Sequence, residues 1–324
     1  MTHSATTTSY DQIFAQDILN GLTAPLKHLP SKYFYDDIGD KLFQQIMELP
    51  EYYLTRTEFH ILEKYAAQIL EPFIDRGERF NLIELGAGNG YKTKILIKYL
   101  YDKKVPFNYY PIDISGSVLV EMKEAFLKEF PNLDIYPIQG TYRSTLTDKN
   151  WQKGIPNLML FLGSNFGNFV EKDAMDLMDY ITRSLNAQDG ILIGFDLKKD
   201  PQLILNAYND SKGVTRAFNI NLLHRINKEL EGNFDVDQFK HWPVYNPDSG
   251  ECRSYLVSLK DQTVRIGALN KEFQIKRAEP IFTEVSRKFS LDEIHHLGLL
   301  KGFKVLADFR DENEYFSDSL LIKD

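Results

Sequence analysis

Residues 80–93 read Phe-Asn-Leu-Ile-Glu-Leu-Gly-Ala-Gly-Asn-Gly-Tyr-Lys-Thr, an apolar run that ends in three alternating glycines. The first six have the length and composition of a buried strand. Gly86, Gly88 and Gly90 then open a turn, because residues without a Cβ let the chain reverse and let a ligand approach the backbone. The segment YKTKILIKYLYDK after it has helical character. A helix starting there presents unpaired N–H groups toward the turn. A glycine pair of this spacing is weak evidence alone, because some such matches are only tight turns. A dinucleotide fingerprint does not fit, since the spacing is G-x-G-x-G and Tyr91 follows.

Working outward, strands alternate with helices. NYYPIDI (108–114) reads as a second strand and SVLVEMKEAFLKEF (117–130) as a helix. LDIYPIQG (133–140), NLMLFLG (157–163) and GILIGFDL (190–197) are further strands, with a helix over 172–185. That alternation predicts a parallel sheet covered by helices on both faces. Upstream lie expected helices at 13–22, 41–48 and 57–73, the last with Leu62, Ala66, Ile69 and Leu70 on one face. Residues 200–285 break the rhythm. One helical stretch (204–230) precedes three strand-like runs, HWPVYNP, CRSYLVSL and TVRIGAL, which suggest a smaller α+β insertion. A helix at 291–302 and two strands, FKVLADF and DSLLIKD, joined by a short polar turn, close the chain. A parallel sheet ending in an antiparallel hairpin is the pattern of class I methyltransferases, a Rossmann-like α/β fold, and is uncommon in nicotinamide-binding domains.

Composition narrows the partners. Of 324 residues, 43% are hydrophobic and 26% charged, as in an ordinary globular protein. A net charge of -8 argues against nucleic acid or an anionic membrane, which need a concentrated basic surface. The lone Cys252 excludes an intramolecular disulfide, and no Cys/His cluster has zinc-ligand spacing, so no metal is expected. His295 and His296 are adjacent and read as helix surface. The first residues lack the pattern of a secretion signal, and no apolar run reaches the length of a membrane span. The expectation is a cytoplasmic monomer acting on a small molecule. Its 22 Phe and 18 Tyr mostly fill core, but some could line a pocket for a flat or cationic ligand.

Three places could carry chemistry. Glu84, before the first glycine, suits a ligand with an ammonium group, such as the methionine end of S-adenosylmethionine (SAM). Asp113, ending the second strand, is placed to accept from ribose hydroxyls or, alternatively, to cap the helix starting near Ser117. FLGSNFGNF (161–169) follows the fourth strand, on the edge where open α/β sheets bind ligands. An Asn there can accept from an amine and donate to a carboxylate, although the loop also reads as a plain turn. In FTEVSRKF (282–289), Glu284 and Ser286 share a strand face. A carboxylate beside a hydroxyl matches the N–H and the bare nitrogen of an imidazole. Pattern alone equally fits a solvated strand.

The segments YFYDDIGDKLFQQIMELPEYYLTRTE, ELGAGNGYKT, FLGSNFGN, GFDLKKD, AYND with GVTRAFN, and FTEVSRKF stand in an order and spacing that resembles the histidine Nα-methyltransferases of ergothioneine biosynthesis. The resemblance runs from about residue 15 to the C-terminus. It implies a SAM-binding methyltransferase domain of residues 61–199 and 286–324, interrupted by a substrate-recognition domain of 10–60 and 200–285. By that likeness Tyr35 sits between cofactor and substrate amine, while Gly86, Lys92, Asp113, Thr141 and Tyr142 hold SAM. Asn168 and Tyr208 bind the amino and carboxylate groups, Tyr52 helps close the pocket, and Glu284 with Ser286 clamps the imidazole. Tyr35 and Asn168 carry the catalytic roles. The implied activity is conversion of L-histidine to its trimethyl betaine, hercynine.

Three positions depart from the family pattern. Thr141 stands where an acidic residue is usual, Ser254 where Met tends to lie beside the imidazole, and Gly90 where a non-glycine is usual. Thr141 should accept from the adenine amine only weakly, Ser254 should leave a roomier wall, and Gly90 should be harmless. The rival readings are a methyltransferase for another amino acid, such as an indole-bearing one, and a non-catalytic SAM-binding protein.

Overall fold

The computed structural model describes residues 9–324, with side chains from residue 12 onward. In chain order it forms α1 (Ser9–Thr23), α2 (Asp37–Met47), α3 (Leu54–Ile74), β1 (Phe80–Leu85), α4 (Thr93–Asp102), β2 (Phe107–Asp113) and α5 (Gly116–Glu129). Next come β3 (Ile138–Gln139), α6 (Tyr142–Asp148), β4 (Asn157–Phe161), α7 (Glu171–Ser184), β5 (Gly190–Asp196), α8 (Pro201–Ala207) and α9 (Val214–Glu229). The chain ends with β6 (Phe239–Asn246), β7 (Glu251–Ser258), β8 (Gln262–Ile266), β9 (Lys271–Ile275), β10 (Pro280–Arg287), α10 (Leu291–Leu300), β11 (Phe303–Arg310) and β12 (Phe316–Lys323). Two compact units result. One holds the residues through Tyr53 with Asp200–Ser286, the other Leu54–Lys199 with Arg287–Asp324.

The second unit is built on a seven-stranded sheet of order β11-β12-β5-β4-β1-β2-β3. Strands β1 to β5 pair in parallel, and β12 runs antiparallel to both β5 and β11. Strands β1, β4 and β5 are buried along their whole length, as strands covered on both faces must be. Alternate residues feed two cores. Phe80, Leu82, Tyr109 and Leu320 pack with α3, α4 and α5, whereas Ile83, Leu85, Ile112 and Leu321 pack with α6, α7 and α10.

The structure departs from the sequence reading at the sheet's margins. LDIYPIQG pairs over only two residues, plus a bridge from Tyr109 to Ile135, because Pro137 cannot donate to a ladder and β3 is an edge strand. Helix α6 was not foreseen; it is seven residues long and capped by Thr141. Strand β12 begins at Phe316, two residues before the expected start at Asp318, and its polar Ser317-Asp318-Ser319 is fully buried.

Where β5 ends, the chain makes a compact charged clasp. Leu197 bridges Phe289, whose N–H donates to the Asp196 carbonyl (2.9 Å). The Asp196 carboxylate pairs with Lys288 (2.7 Å) and with Lys199, and Asp196 and Lys288 are wholly buried. Burial opposes ionisation of Asp196, but the two ammonium groups hold it below the usual carboxylate range.

The first unit has its own core, drawn from α1 (Phe14, Ile18, Leu22), α9 (Phe218, Leu222, Ile226), Leu256 and Ile281. It contains a three-stranded sheet of order β10-β7-β6 and a β8-β9 hairpin. The single helix expected over 204–230 is instead two. Gly213 adopts φ +73, and the Asp210 carboxylate caps α9 by accepting from the Val214 and Thr215 N–H groups (2.9 and 2.8 Å). Strand β9 was also unforeseen, lying in a stretch of alternating polar and apolar residues.

Among the described residues no helix is long and apolar enough to cross a membrane, and no group of side chains is arranged to hold a metal. His295 lies on the surface of α10, with Nε2 2.6 Å from an Asp308 oxygen.

Removing the Asp196 carboxylate takes away the counter-charge of the buried Lys288 ammonium, a change that costs roughly 3–5 kcal/mol. Urea denaturation of Asp196→Ala is expected to show a loss of that order, and a loss below about 1 kcal/mol would contradict the clasp.

Candidate active site

The glycine turn follows β1 in the second unit. Gly86 has φ +71 and donates to the Ile112 carbonyl (2.9 Å); Gly88 has φ +53 and donates to Asp113 Oδ2 (3.0 Å). The other Asp113 oxygen accepts from the Ser115 N–H (2.9 Å), and Ser115 rather than Asp113 caps α5. Asp113 therefore shapes the turn, and its carboxylate retains lone pairs for hydroxyl donors. A Cβ built on Gly88 meets nothing within 4 Å, so there is open space beside this carboxylate at the carboxyl end of β1. That space, the positive-φ backbone and the carboxylate fit an adenosine-bearing ligand.

Gly90 has room for no side chain in the present packing. It has φ +66, and a Cβ would lie 2.8 Å from the Met122 sulfur and the Phe126 ring.

Glu84 does not face open space. It is buried, with one oxygen accepting from the Thr93 hydroxyl and the other from the Tyr109 hydroxyl. Burial pushes its carboxyl up to about 7, against the pull of those two hydrogen bonds. Glu84 thus ties β1 to α4 and β2 and is not positioned as an exposed ammonium acceptor.

Tyr142 closes over the turn: a Cβ on Gly86 would lie 2.5 Å from its hydroxyl. Its ring packs near Phe161 (5.4 Å) and Phe169 (6.2 Å), and burial, then the charges of Asp113 and Glu84, pushes its phenol up. Thr141 is exposed, and its side chain accepts from the Ser144 N–H to cap α6. Lys92 begins α4 and pairs with Glu58 of α3. Glu58 is fully buried and also accepts from the Gly163 N–H (2.6 Å). Sequence reasoning missed Glu58, although its signal was present: it lies four residues before Leu62 on the apolar face of α3.

After β4, Ser164 sits in the left-handed region (φ 56) and is buried, with its hydroxyl accepting from the Asp196 N–H (3.2 Å). A non-glycine residue held there marks a loop fixed by its surroundings. Residues Asn165–Asn168 form a single 3-10 turn that leaves Asn168 half-buried at its end.

In the first unit the expected substrate residues form a row. Tyr35, 41% exposed, meets Phe43 edge-on (5.6 Å), Phe43 meets Tyr52 (6.4 Å), and Tyr52 meets Tyr208 (6.4 Å). Tyr208 ends α8, and its hydroxyl donates to Ser286 Oγ (2.7 Å). Glu284, two residues earlier on β10, is half-buried on the same strand face. Thr283 projects oppositely and donates to Asn219 Oδ1 (2.8 Å) and the Ser254 carbonyl (3.1 Å). Ser254 is not an open wall: its hydroxyl lies 3.3 Å from Nε2 of buried His241. Burial pushes His241 down to about 4, so this imidazole is neutral at physiological pH. The HWPVYNP run gave no sign of that contact beyond its strand character.

The sequence profile of the family described as "Histidine-specific methyltransferase, SAM-dependent" matches residues 14–323. The histidine N-alpha-methyltransferase of Mycobacterium tuberculosis is 36% identical over 308 residues, covering 95% of this chain and 94% of its own. The protein of that name from Mycolicibacterium smegmatis is 36% identical over 283 residues, covering 86% and 85%. Ergothioneine biosynthesis protein 1 of Schizosaccharomyces pombe is 30% identical over 301 residues, covering 91% of this chain and 39% of the longer fungal protein.

Glu84 generates a pH signature. Its carboxyl ionises near 4.5 ordinarily and near 7 in the fold, so the folded state binds the extra proton between those values. The stability it contributes is full below pH 4.5 and is lost as pH rises through 7. At about 1.4 kcal/mol per unit, the loss is roughly 3 kcal/mol. Replacing Glu84 by Gln should flatten that part of the urea-stability profile in SAM-free protein; a profile of unchanged slope would contradict the assignment.

Proposed function

The chain belongs to the SAM-dependent, histidine-specific methyltransferases, and from that premise we propose that it methylates the α-amino group of L-histidine successively to the trimethyl betaine, hercynine, as in ergothioneine biosynthesis. The observation that carries the substrate reading is the polar end of the aromatic row. The Tyr208 hydroxyl is bonded to Ser286, with Glu284 on the same face of β10. A carboxylate accepts the imidazole N–H, and the neighbouring hydroxyl donates to the bare ring nitrogen when histidine binds.

SAM supplies the methyl group from its sulfonium by in-line displacement. Gly86, Lys92, Asp113, Thr141 and Tyr142 are assigned to its binding, with Asp113 accepting from the ribose hydroxyls. The residues through Tyr53 with 200–286 are assigned to substrate recognition, and the sheet-bearing unit to the cofactor.

The protein's task is mainly positional, because a displacement of this kind needs an amine lone pair aligned with the methyl carbon. The α-ammonium of free histidine must first lose a proton, and solvent takes it. Tyr35 and Asn168 then accept from the amine and orient its lone pair, while Tyr208 and Asn168 hold the carboxylate and Tyr52 closes over the substrate. Each methyl removes an N–H and adds bulk, so the room left around the amine determines how far methylation proceeds. The net charge of -8 and the lone cysteine support a monomer in the cytoplasm, where we place the reaction.

Two substitutions test these assignments. Glu284→Ala should raise the KM for histidine more than about tenfold, since a hydrogen bond to a charged group is worth about 1.5–3 kcal/mol, with the Kd for SAM unchanged. An unaltered histidine KM would remove the ring clamp. Thr141→Asp keeps an N-capping oxygen and adds a charged acceptor, so calorimetry should show SAM bound several-fold more tightly. An unchanged Kd would place residue 141 away from the adenine amine.

A further inference from the structure

Asp318 lies in the middle of β12, facing the same way as Phe316 and Leu320, into the core that packs against α3. Both of its carboxyl oxygens are enclosed by protein, and no N–H or hydroxyl group donates to either. Its register partner on β5 is Gly194. A Cβ on Gly194 would collide with Glu58 Oε1, so the absence of a side chain there makes the space in which the Glu58 carboxylate sits. Facing side chains on antiparallel strands are about 5 Å apart, which sets the Asp318 carboxyl beside that of Glu58. Glu58 accepts from the Gly163 N–H (2.6 Å) and from the Lys92 ammonium. Two fully buried carboxyls thus share one cation. If both were ionised, the cluster would hold an uncompensated charge out of water, and one Asp318 oxygen would abut another anion with no proton between them.

We propose that Asp318 is a neutral carboxylic acid that donates its proton in a hydrogen bond to Glu58, and that this shared-proton pair is the positioning device that, with the loop after β4 anchored through the Gly163 N–H, fixes Lys92 for cofactor binding. Burial first, and then the negative charge of Glu58, drives the Asp318 carboxyl well above its ordinary range, with Lys92 opposing. In this arrangement Glu58 and Lys92 cancel, and the ammonium, which has three donors, keeps others for an anionic group of the ligand. An ionised Asp318 would leave the cluster net negative where that group has to bind. The inference rests on the assignment of Lys92 to SAM, which the test separates from the shared proton.

The experiment uses full-length protein, with calorimetry for SAM, steady-state KM values for both substrates, thermal melting and infrared spectroscopy. Asp318→Asn retains a neutral donor to Glu58 and should bind SAM within about threefold of wild type, whereas Asp318→Ala should bind about tenfold or more weakly, with the histidine KM unmoved. The wild-type minus Asp318→Asn infrared difference should show the carbonyl band of a protonated carboxyl in the SAM-free protein. Two results would overturn the proposal: no such band, or an Asn variant as impaired as the Ala variant, which would mean that the ionised form is needed. An Ala variant with a lower melting temperature and an unchanged SAM Kd would reduce the pair to packing. If the Ala variant does not fold, the Asn variant and the infrared band still decide. Wild-type protein that binds no SAM would remove the cofactor assignment of Lys92, while the band would still settle the proton.

Discussion

The carboxyl edge of the large sheet is organised around one buried anion, the carboxylate of Glu58. Burying such a charge costs several kcal/mol unless hydrogen bonds and a counter-charge replace water. Here the replacements come from separate parts of the chain: the N–H of Gly163 after β4, the ammonium of Lys92 at the start of α4, and the empty place above Gly194 on β5. Satisfying Glu58 therefore fixes α3 against three strand ends at once. Two residues further along β5 the same solution recurs, with Asp196 held between Lys199 and Lys288. Open α/β sheets bind their ligands at this edge, so buried ionic clusters there hold the loops that a ligand must meet.

A second constraint is the covering of glycine turns by side chains from elsewhere. Gly86 is covered by Tyr142 and Gly90 by Met122 and Phe126, while Gly88 alone has open space above it. The turn is thereby closed on two sides and open on one, with the Asp113 carboxylate beside the opening. In the unit that carries Tyr35, a comparable economy operates. A row of aromatic rings supplies apolar surface and ends in one hydroxyl pair, and the imidazole of His241 fills the space beside Ser254.

Much of this was legible in the sequence because the strong signals are local. FNLIEL, NLMLFLG and GILIGFDL are uninterrupted apolar runs bounded by turn residues, and each is a buried strand. The terminal hairpin was equally plain. What escaped was decided by tertiary contact. Pro137 shortened β3, Asp210 and Gly213 broke a helix whose apolar periodicity looked continuous, and nothing in the polar Ser317-Asp318-Ser319 marked it as buried. Its place inside β12 depends on partners such as Asp308, whose carboxylate accepts from Ser319 (2.6 Å). Among the candidate residues, the pattern marked Glu84 as a ligand acceptor, yet Thr93 and Tyr109 occupy it. His241 and Glu58 stayed hidden because a single sequence does not reveal which polar side chain faces inward.

The most direct test is to incubate the protein with SAM and an equimolar mixture of the twenty amino acids and to identify the products by mass spectrometry. Mono-, di- and trimethylated histidine, with no other methylated amino acid, is the predicted result. Methylation of a different amino acid would contradict the ring clamp at Glu284 and Ser286, and the absence of any methylated product would contradict the reaction itself.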